Sequence, residues 1–521
     1  MKRYLRFVLI VLVIPVYSQT ITLDATFGDS GYSQGITIPS FDSTTDSILL
    51  PDGQFITCHM SSSFLYLKKI NQNGIVDTTF SNLFSLGSNS SIICRKLVLY
   101  NNKILLAGMS KTSFNASFDL LLIRYNLDGT LDTTFGTNGY RNISYGGSND
   151  DPRELLFDAA GNIFVFARHA NDNYVTKTNP NGVLDTSFGT NGFLYTNAYN
   201  PDNVNFAMGT LFNKMVLQTD GKFLFAGAKR NAVTLNFESY LERRNHDGSF
   251  DSTFGDNGRL TMANTEFCVI KSIEYNYNTN SILLLHEYDN NNSPLARVML
   301  SKIQITDGAL VPSFGTNGLT AQYSFPEVRG SILKDMVTLS DSKILIAGNV
   351  SNFLVTPQIN DKLFIMRFNA NGSVDFTSSS SGYHIFNAAP SSSFTAFIVN
   401  RILNLNNGSF LVAYSGTGSS LGNRTYLAKF TGATATLNSD APALKDDFIT
   451  VHPNPTSNVL HITTTDNKVV NKIAISNING QTLNESTTIN DQIDVSTLPN
   501  GVYIITVSIE NENYPIKFVK K

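Results

Sequence analysis

The side chains that most often carry chemistry are spread thinly along the 521-residue chain. The histidines form no His-Glu-x-x-His or other metal-ligand spacing; they are His59, His169, His246, His286, His384, His452 and His461. No Gly-x-Ser-x-Gly motif stands at a strand-to-helix turn, and no carboxylate pair is singled out as acid and base. The sequence predicts no catalytic residue, no metal site and no cofactor, and it favours a protein that is not an enzyme.

A carboxylate and a base recur together at one spacing. A Lys or Arg stands eight residues before an aspartate in Lys69–Asp77, Arg124–Asp132, Lys177–Asp185, Arg243–Asp251 and Arg367–Asp375, and Lys302 and Lys429 occupy a similar place. The pattern is typical of a protective charge on an outer edge strand, paired with the aspartate. We therefore expect Arg124→Ser to cost little stability.

Two sharper interpretations of these residues stay open. The bases form a ring for an anionic ligand if they face a common space. The aspartates bind calcium if other oxygens join them, although one carboxylate per turn falls short of the roughly six to eight oxygens that calcium takes.

Cysteine and aromatic usage gives weaker indications. Cys58, Cys94 and Cys268 lie in apolar strand-like runs, which predicts buried thiols; a Cys58–Cys94 disulfide is an open alternative. The chain has no Trp, which disfavours a sugar-binding or glycosidase site that stacks rings on large aromatics, although 21 Tyr and 36 Phe offer substitutes.

The elements that position these residues come from an internal repeat. The phrase Asp-x-Thr-Phe-Gly, exact or with substitutions, returns in seven copies 53 to 66 residues apart; they begin at Leu23, Val76, Leu131, Leu184, Phe250, Leu310 and Val374. The last two copies depart from it, with Val311 and Pro312 in the sixth and no Phe-Gly in the seventh. We expect the Asp to bond its own turn, the Phe to pack between neighbouring units and the Gly to take a positive φ. The structural residues are Asp24, Phe27, Asp77, Phe80, Asp132, Phe135, Gly136, Asp185, Phe188, Gly189, Asp251, Phe254, Gly255, Phe314 and Gly315.

A second, seven-fold phrase predicts a hairpin in every repeat. It is a short apolar strand after a turn such as Asp52-Gly53 or Asp220-Gly221. A third strand, such as residues 119–126, and a fourth, such as residues 140–144, complete each unit. Four antiparallel strands about every 55–60 residues are typical of a propeller blade. The predicted fold is all-β: a seven-bladed β-propeller of four-stranded blades over residues 19–436, followed by a small C-terminal β-sandwich. A solenoid is the alternative.

The Asp-x-Thr-Phe-Gly-x-Asn-Gly repeats resemble the delta-60 repeat, a propeller repeat of uncharacterised function in secreted bacterial proteins. The resemblance spans residues 21–432 and implies a fold rather than an activity.

A separate β-unit, residues 448–521, follows a predicted linker at residues 437–447. Its motif residues are Pro453, Asn454, Pro455, Gly480, Leu498, Pro499, Gly501, Tyr503, Lys520 and Lys521. The unit resembles the C-terminal sorting domain of type IX (Por) secretion in Bacteroidetes exported proteins. That resemblance implies the type IX secretion machinery as a partner, passage across the outer membrane, and removal of the tag within the linker. An ordinary β-sandwich binding domain is the alternative.

Residues 1–18 predict a signal peptide, with Lys2, Arg3 and Arg6 ahead of a short apolar run. That run is too short to span a bilayer, so an uncleaved anchor is disfavoured. The mature chain is expected to be secreted or attached to the outer-membrane surface, without a transmembrane span. A net charge of −3 and the lack of basic runs disfavour nucleic acid as a partner.

Three functions fit these observations, because a fold does not fix a function. The favoured one is a binding or interaction module for an unknown protein or glycan ligand, since propellers present variable loops on a rigid barrel. The alternatives are a secreted polysaccharide hydrolase or lyase that uses the propeller channel, and a structural adhesin.

Overall fold

The computed structural model divides the chain into two compact units, residues 1–436 and residues 437–521. The structure describes residues 20–37, 46–61, 63–80, 82–170, 172–196, 210–231, 233, 236–262, 267–276, 279–290, 293–329, 331–352, 359–387, 396–405, 407–418, 422–432, 449–454, 456–464, 470–477, 482–486, 492–499, 501–509 and 512–521. The predicted signal peptide and linker, together with Pro455 and Gly480, lie outside these residues.

All regular elements in the described ranges are β-strands, and none of these ranges holds a helix able to cross a membrane. The first unit contains β1 (Thr22–Leu23), β2 (Ile36–Thr37), β3 (Ser47–Leu49), β4 (Phe55–Ser61), β5 (Phe64–Ile70), β6 (Phe84–Ser85), β7 (Ser91–Tyr100), β8 (Lys103–Lys111), β9 (Asp119–Asn126), β10 (Tyr140–Ile143), β11 (Asp150–Phe157), β12 (Ile163–His169), β13 (Asp172–Thr178), β14 (Phe193–Tyr195), β15 (Thr210–Leu217), β16 (Phe223–Arg230), β17 (Phe237–Arg244), β18 (Arg259–Met262), β19 (Phe267–Asn276), β20 (Ser281–Asn290), β21 (Ser293–Gln304), β22 (Tyr323–Arg329), β23 (Ser331–Thr338), β24 (Ile344–Asn352), β25 (Ile359–Phe368), β26 (Tyr383–Phe386), β27 (Ala396–Asn404), β28 (Ser409–Gly418) and β29 (Gly422–Thr431).

These strands form four-stranded antiparallel sheets whose strands follow one another in chain order, from β3–β6 through β23–β26. The last sheet has β27, β28 and β29, and the N-terminal strands β1 and β2 complete it by pairing with β29. Each first strand contacts the first strand of the next sheet, and β27 contacts β3. The sheets are therefore arranged as propeller blades are, around a common interior.

The hydrophobic core lies between neighbouring sheets. The second strands are apolar on both faces, because a sheet lies on either side; in β8 every side chain from Ile104 to Ser110 is buried. One cluster joins Ile56 of the first sheet to Leu106 of the next, and another joins Leu105 to Val165. Packing of this kind fixes each sheet against two neighbours and makes the interior rigid.

The second unit contains β30 (Ile449–His452), β31 (Val459–Thr464), β32 (Val470–Asn477), β33 (Thr482–Ser486), β34 (Gln492–Asp494), β35 (Gly501–Ile509) and β36 (Glu512–Lys520). They form a three-stranded sheet, β30-β31-β34, and a four-stranded sheet, β33-β32-β35-β36. Leu460 from the first sheet and Ile475 and Phe518 from the second share one core.

Candidate functional site

The structure pairs the recurring bases with the recurring aspartates. The bonds run from the Lys Nζ or Arg Nε to Asp Oδ2: Lys429–Asp24 2.9 Å, Lys69–Asp77 3.8 Å, Arg124–Asp132 2.9 Å, Lys177–Asp185 2.9 Å, Arg243–Asp251 2.8 Å and Arg367–Asp375 2.7 Å. Each Asp Oδ1 also accepts the backbone N–H and the hydroxyl of the Thr or Ser two residues later. Both carboxylate oxygens are thus engaged within the protein.

The arginines among these bases also reach the following sheet. Arg124 Nη1 donates to the Pro180 carbonyl, and Arg243 Nη2 donates to the Thr306 carbonyl at 2.7 Å. The guanidinium of Arg124 lies 4.7 Å from the ring centroid of Phe135, which is fully buried. Although burial raises it, hydrogen bonds from Thr134 and Lys103 and the charge of Arg124 hold the pKa of Asp132 well below its usual range.

The expected placement of these bases is wrong, and it changes the prediction for Arg124→Ser. The bases lie on the third strand of each sheet, as Arg124 does on β9 between β8 and β10, and not on an outer edge strand. The fourth strand, which follows the Asn-Gly turn, covers the third. Because Arg124 joins two sheets and contacts a buried ring, Arg124→Ser is expected to cost well over the 0–1 kcal/mol or so of an exposed pair.

The phenylalanines and glycines of the Asp-x-Thr-Phe-Gly copies lie where one sheet contacts the next. Phe27, Phe80, Phe135, Phe188, Phe254 and Phe314 are all buried. Gly136 has φ +55, and its N–H donates to the Asn181 carbonyl at 2.8 Å, in a turn of the next sheet. A Cβ at Gly136 would lie 2.2 Å from the Tyr140 carbonyl oxygen, so only glycine fits. Gly189, Gly255 and Gly315 have the same backbone conformation.

Several other reactive side chains are buried structural groups. His286 is fully buried between Ser239 and Ser301, and burial lowers its pKa to about 3. The three cysteines are free and buried, as predicted. Ser33, within Gly31-Tyr32-Ser33-Gln34-Gly35, is buried and its Oγ accepts the Leu427 N–H. Among the described residues, no three His, Cys, Asp or Glu side chains form a metal-binding group.

A cavity of about 760 Å³ is lined by the first strands of the sheets. Six first strands carry a β-bulge, at the same place relative to the second strand with which each of them pairs. A bulge places two consecutive residues against one partner residue and re-aims their side chains. The bulge residues, which we call the bulge ring, are Arg95, Arg153, Asn213, Lys271, Lys334 and Asn400.

The residues that follow the bulge form a second layer, which we call the inner ring. Its members are Asp46, Lys96, Glu154, Lys214, Ser272, Asp335 and Arg401, one from each sheet. Among the described residues, seven bases and five carboxylates line the cavity, an excess of two positive charges in a chain whose net charge is −3. A signal for the cavity was present in the sequence, because a polar pair interrupts each apolar strand: Arg95-Lys96, Arg153-Glu154, Asn213-Lys214, Lys271-Ser272, Lys334-Asp335 and Asn400-Arg401.

The inner ring is held together by ion pairs and backbone bonds. Glu154 lies between Lys96 at 3.2 Å and Lys214 at 3.0 Å, and those two charges keep its pKa low despite burial. Asp46 pairs with Arg401 at 3.2 Å and accepts the Leu97 N–H. Asp335 accepts the N–H of Ile402 from the next sheet.

The bulge ring is less neutralised than the inner ring. Arg95 and Arg153 share Asp151, at 2.7 and 2.8 Å, and Lys271 pairs with Glu287 of β20. Lys334 is exposed to the cavity and makes no ion pair with the described residues. The surrounding walls and the neighbouring charges of Lys214, Lys96 and Lys271 lower the pKa of Lys334 to about 8.

A second cluster of titratable groups lies at the end of β11 and β12. Asp150 Oδ1 is 2.7 Å from His169 Nδ1, and Asp150 Oδ2 accepts the Tyr145 N–H. Burial raises the pKa of Asp150 to about 6. The Tyr145 ring lies edge-on against His169 and stacks on Tyr174. An aspartate that orients a histidine is an arrangement suited to proton transfer.

The described motif residues of the second unit gather around its last strand. Asn454 Oδ1 accepts the Val519 N–H at 2.9 Å, and Gly501 pairs with Lys520. Tyr503 is buried, and its hydroxyl donates to the Pro499 carbonyl at 2.8 Å. Leu498 packs against the same core, and the Lys521 N–H donates to the Thr456 carbonyl. The two ends of the unit therefore meet at one edge.

Residues 450–521 match the secretion system C-terminal sorting domain family. This sorting domain implies the type IX secretion machinery as a partner, and it indicates export to the cell surface or secretion. Residues 101–135 and 339–377 match a second family, described as a domain of unknown function (DUF5122) beta-propeller. The first unit therefore contains β-propeller sequence. The chain matches no curated protein.

Solved structures resemble the chain only distantly. Polysaccharide lyase Uly1 is 12% identical, with 78% of this chain and 93% of that chain covered and a TM-score of 0.44. An inactive virginiamycin B lyase from Staphylococcus aureus is 9% identical, with 76% and 99% covered and a TM-score of 0.40. PorZ of Porphyromonas gingivalis, a surface component of its type IX secretion system, is 11% identical, with 94% and 75% covered and a TM-score of 0.32. Similarity at this level carries no argument about function.

Proposed function

We propose that this chain is an exported binding module, a seven-bladed β-propeller of delta-60 repeats that captures its ligand in the cavity between the blades. The proposed organisation is a signal peptide at residues 1–18, the propeller at residues 19–436, a linker at residues 437–447 and a β-sandwich sorting domain at residues 448–521. The mature protein is secreted or attached to the outer-membrane surface. The repeat residues of the Asp-x-Thr-Phe-Gly phrase are assigned a structural role, and the motif residues of the sorting domain are assigned to export.

The observation that carries the binding role is the charged cavity. Its volume of about 760 Å³ lies within the range of roughly 300–1,000 Å³ that is usual for ligand pockets. Its side chains project from strands in hydrogen-bonded sheets, which position binding groups more rigidly than loops do. The outer Lys/Arg–Asp pairs are less suited to this role, because each base is already paired with its own aspartate.

A thermal-shift screen of the full chain tests the proposal. The probes are neutral and acidic oligosaccharides and secreted host proteins, since anything that binds the folded state raises its Tm by mass action. Binding of one class, abolished by Lys214→Glu in the cavity and retained in Lys302→Glu on β21, is expected. The proposal is overturned if no probe binds, or if binding is indifferent to charge reversal in the cavity.

The Asp150–His169 pair favours a second candidate, a secreted lyase or hydrolase. The same oligosaccharides are incubated with the full chain and analysed for shorter products. Catalysis by this pair requires His169→Ala and Asp150→Asn to abolish product formation while ligand binding in the cavity persists. Binding without products leaves the first proposal alone.

A further inference from the structure

The bulge ring differs from the inner ring in one chemical respect. Its six described members are two arginines, two lysines and two asparagines, and none is a carboxylate. Guanidinium and ammonium groups are donors only, and an asparagine amide supplies two further N–H groups. The layer is therefore a circle of hydrogen-bond donors with a positive charge.

Among the described residues, the cavity has five carboxylates against seven bases, so they do not cancel that charge; one of the five, Glu274, accepts the Thr338 hydroxyl. The three acidic members of the inner ring are already engaged, Glu154 by two lysines and Asp46 and Asp335 by an arginine or a backbone N–H of the following sheet. Asp151 is the carboxylate that Arg95 and Arg153 share.

Lys334 adds a cation with no carboxylate of its own among the described residues. Its neighbours across the cavity are bases, and the ammonium group is reached by solvent through the cavity. The charge of Asp335 favours the protonated ammonium but forms no ion pair with it among the described residues, so a bound anion would add an opposite charge at the ammonium itself. Asparagines at the Asn213 and Asn400 positions extend the donor layer without adding charge.

We propose that the bulge ring binds an oligoanion, a molecule with at least two carboxylate, sulfate or phosphate groups, and that Lys334 contacts one of these groups while Arg95 and Arg153 contact another. This inference rests on the proposed binding function and names its ligand class. The donors come from six different sheets around the cavity, so a molecule with more than one anionic group can engage more of them than a single ion can.

Isothermal titration of the full chain at low ionic strength tests it with three probes. Trigalacturonic acid and inorganic tripolyphosphate carry several anionic groups of different origin, and maltotriose is a neutral control. We expect at least one oligoanion to bind, maltotriose not to bind, and affinity to fall as salt is raised. A preference between the two anions identifies carboxylate or phosphoryl chemistry.

Lys334→Gln supplies the decisive variant, with Lys302→Gln as its matched control. Both remove one lysine without an ion pair among the described residues, but Lys302 lies on β21, outside the cavity. Loss of one charge-assisted hydrogen bond weakens binding about ten-fold or more, and the control leaves it unchanged. Raising the pH from 7 to 9 weakens binding to the natural chain and not to Lys334→Gln. Lys334 is solvent-exposed, so the variant is expected to fold.

Failure of this inference and failure of the proposed function are distinguishable. Binding of maltotriose or another neutral ligand without any oligoanion overturns the oligoanion site and leaves a binding module. Oligoanion binding that Lys334→Gln does not weaken overturns the assignment to the bulge ring. Absence of binding by every probe in both experiments overturns the proposed function as well.

Discussion

Replacement of Arg367 by Met is expected to destabilise the first unit far more than replacement of Lys69, its counterpart in an earlier repeat. Arg367 and Asp375 are 0% and 1% exposed and 2.7 Å apart, whereas Lys69 and Asp77 are 19% and 27% exposed and 3.8 Å apart. Breaking a buried pair costs about 3–5 kcal/mol, and an exposed pair is worth about 0–1 kcal/mol.

For Arg367→Met we expect the lower end of the range of about 3–5 kcal/mol for breaking a buried ion pair. Lys343 Nζ also lies 3.1 Å from Asp375, so the carboxylate keeps one cation after Arg367 is lost. Arg367 in addition donates to the Gly432 carbonyl, which loses this donor in the variant. We therefore expect Arg367→Met to lower the free energy of unfolding by about 3 kcal/mol more than Lys69→Met.

Guanidinium denaturation of the full chain measures this difference. The chain has no Trp and 21 Tyr, so tyrosine fluorescence and circular dichroism are the signals. The second unit is common to both variants and cancels in the comparison. If Arg367→Met loses no more stability than Lys69→Met, the buried ion pair does not join the sheets as argued. A slope that changes with the variant indicates a transition that is not two-state.

Three further outcomes are expected. Gly136→Ala lowers the free energy of unfolding by more than the roughly 1–3 kcal/mol that backbone strain costs, because the new Cβ would lie 2.2 Å from a carbonyl oxygen. Gly146 has φ +98 and open space around it, so Gly146→Ala is expected to show the cost of strain alone in the same denaturation assay. Burial raises the pKa of Asp251, but hydrogen bonds and nearby cations lower it to about 2. The unfolded chain therefore binds a proton at Asp251 at a higher pH than the folded chain does, so the Tm falls as the pH drops from about 4 to 2. The fall is expected to be less steep in Asp251→Asn. A chain that ends at residue 447 remains in the periplasm of a host with type IX secretion, as judged by cell fractionation; unchanged export refutes the role of the tail.

The local elements followed from local patterns. The strand predicted at residues 119–126 is β9, because alternation and the flanking turns are local signals. The Asn-Gly turns behave likewise: Asn138 and Gly139 both have positive φ, the conformation that this dipeptide tolerates.

The long-range features of the fold could not be predicted from the sequence pattern. Pairing of β1 with β29 joins residues about 400 positions apart, and no local sequence pattern predicts it. The one indication is that the first copy of the Asp-x-Thr-Phe-Gly phrase precedes the first hairpin and so has no sheet of its own. The edge-strand interpretation of Arg124 failed because it treated the third strand as the edge of the sheet, although the fourth strand, predicted at residues 140–144, pairs with it as β10. The cavity was missed because a bulge is a backbone feature, and a polar pair in a strand indicates it only after all first strands are aligned.

Thr22 pairs with Thr431, so strands from the two ends of the first unit close the circle of sheets. Residues 396–431 and residues 22–37 must both be present before the last sheet exists, so a nascent or translocating chain stays an open arc until its final repeat emerges. Closure over such a sequence separation is entropically costly and is expected late in folding. Docking of β1 and β2 onto β29 is therefore the step that closes the circle of sheets.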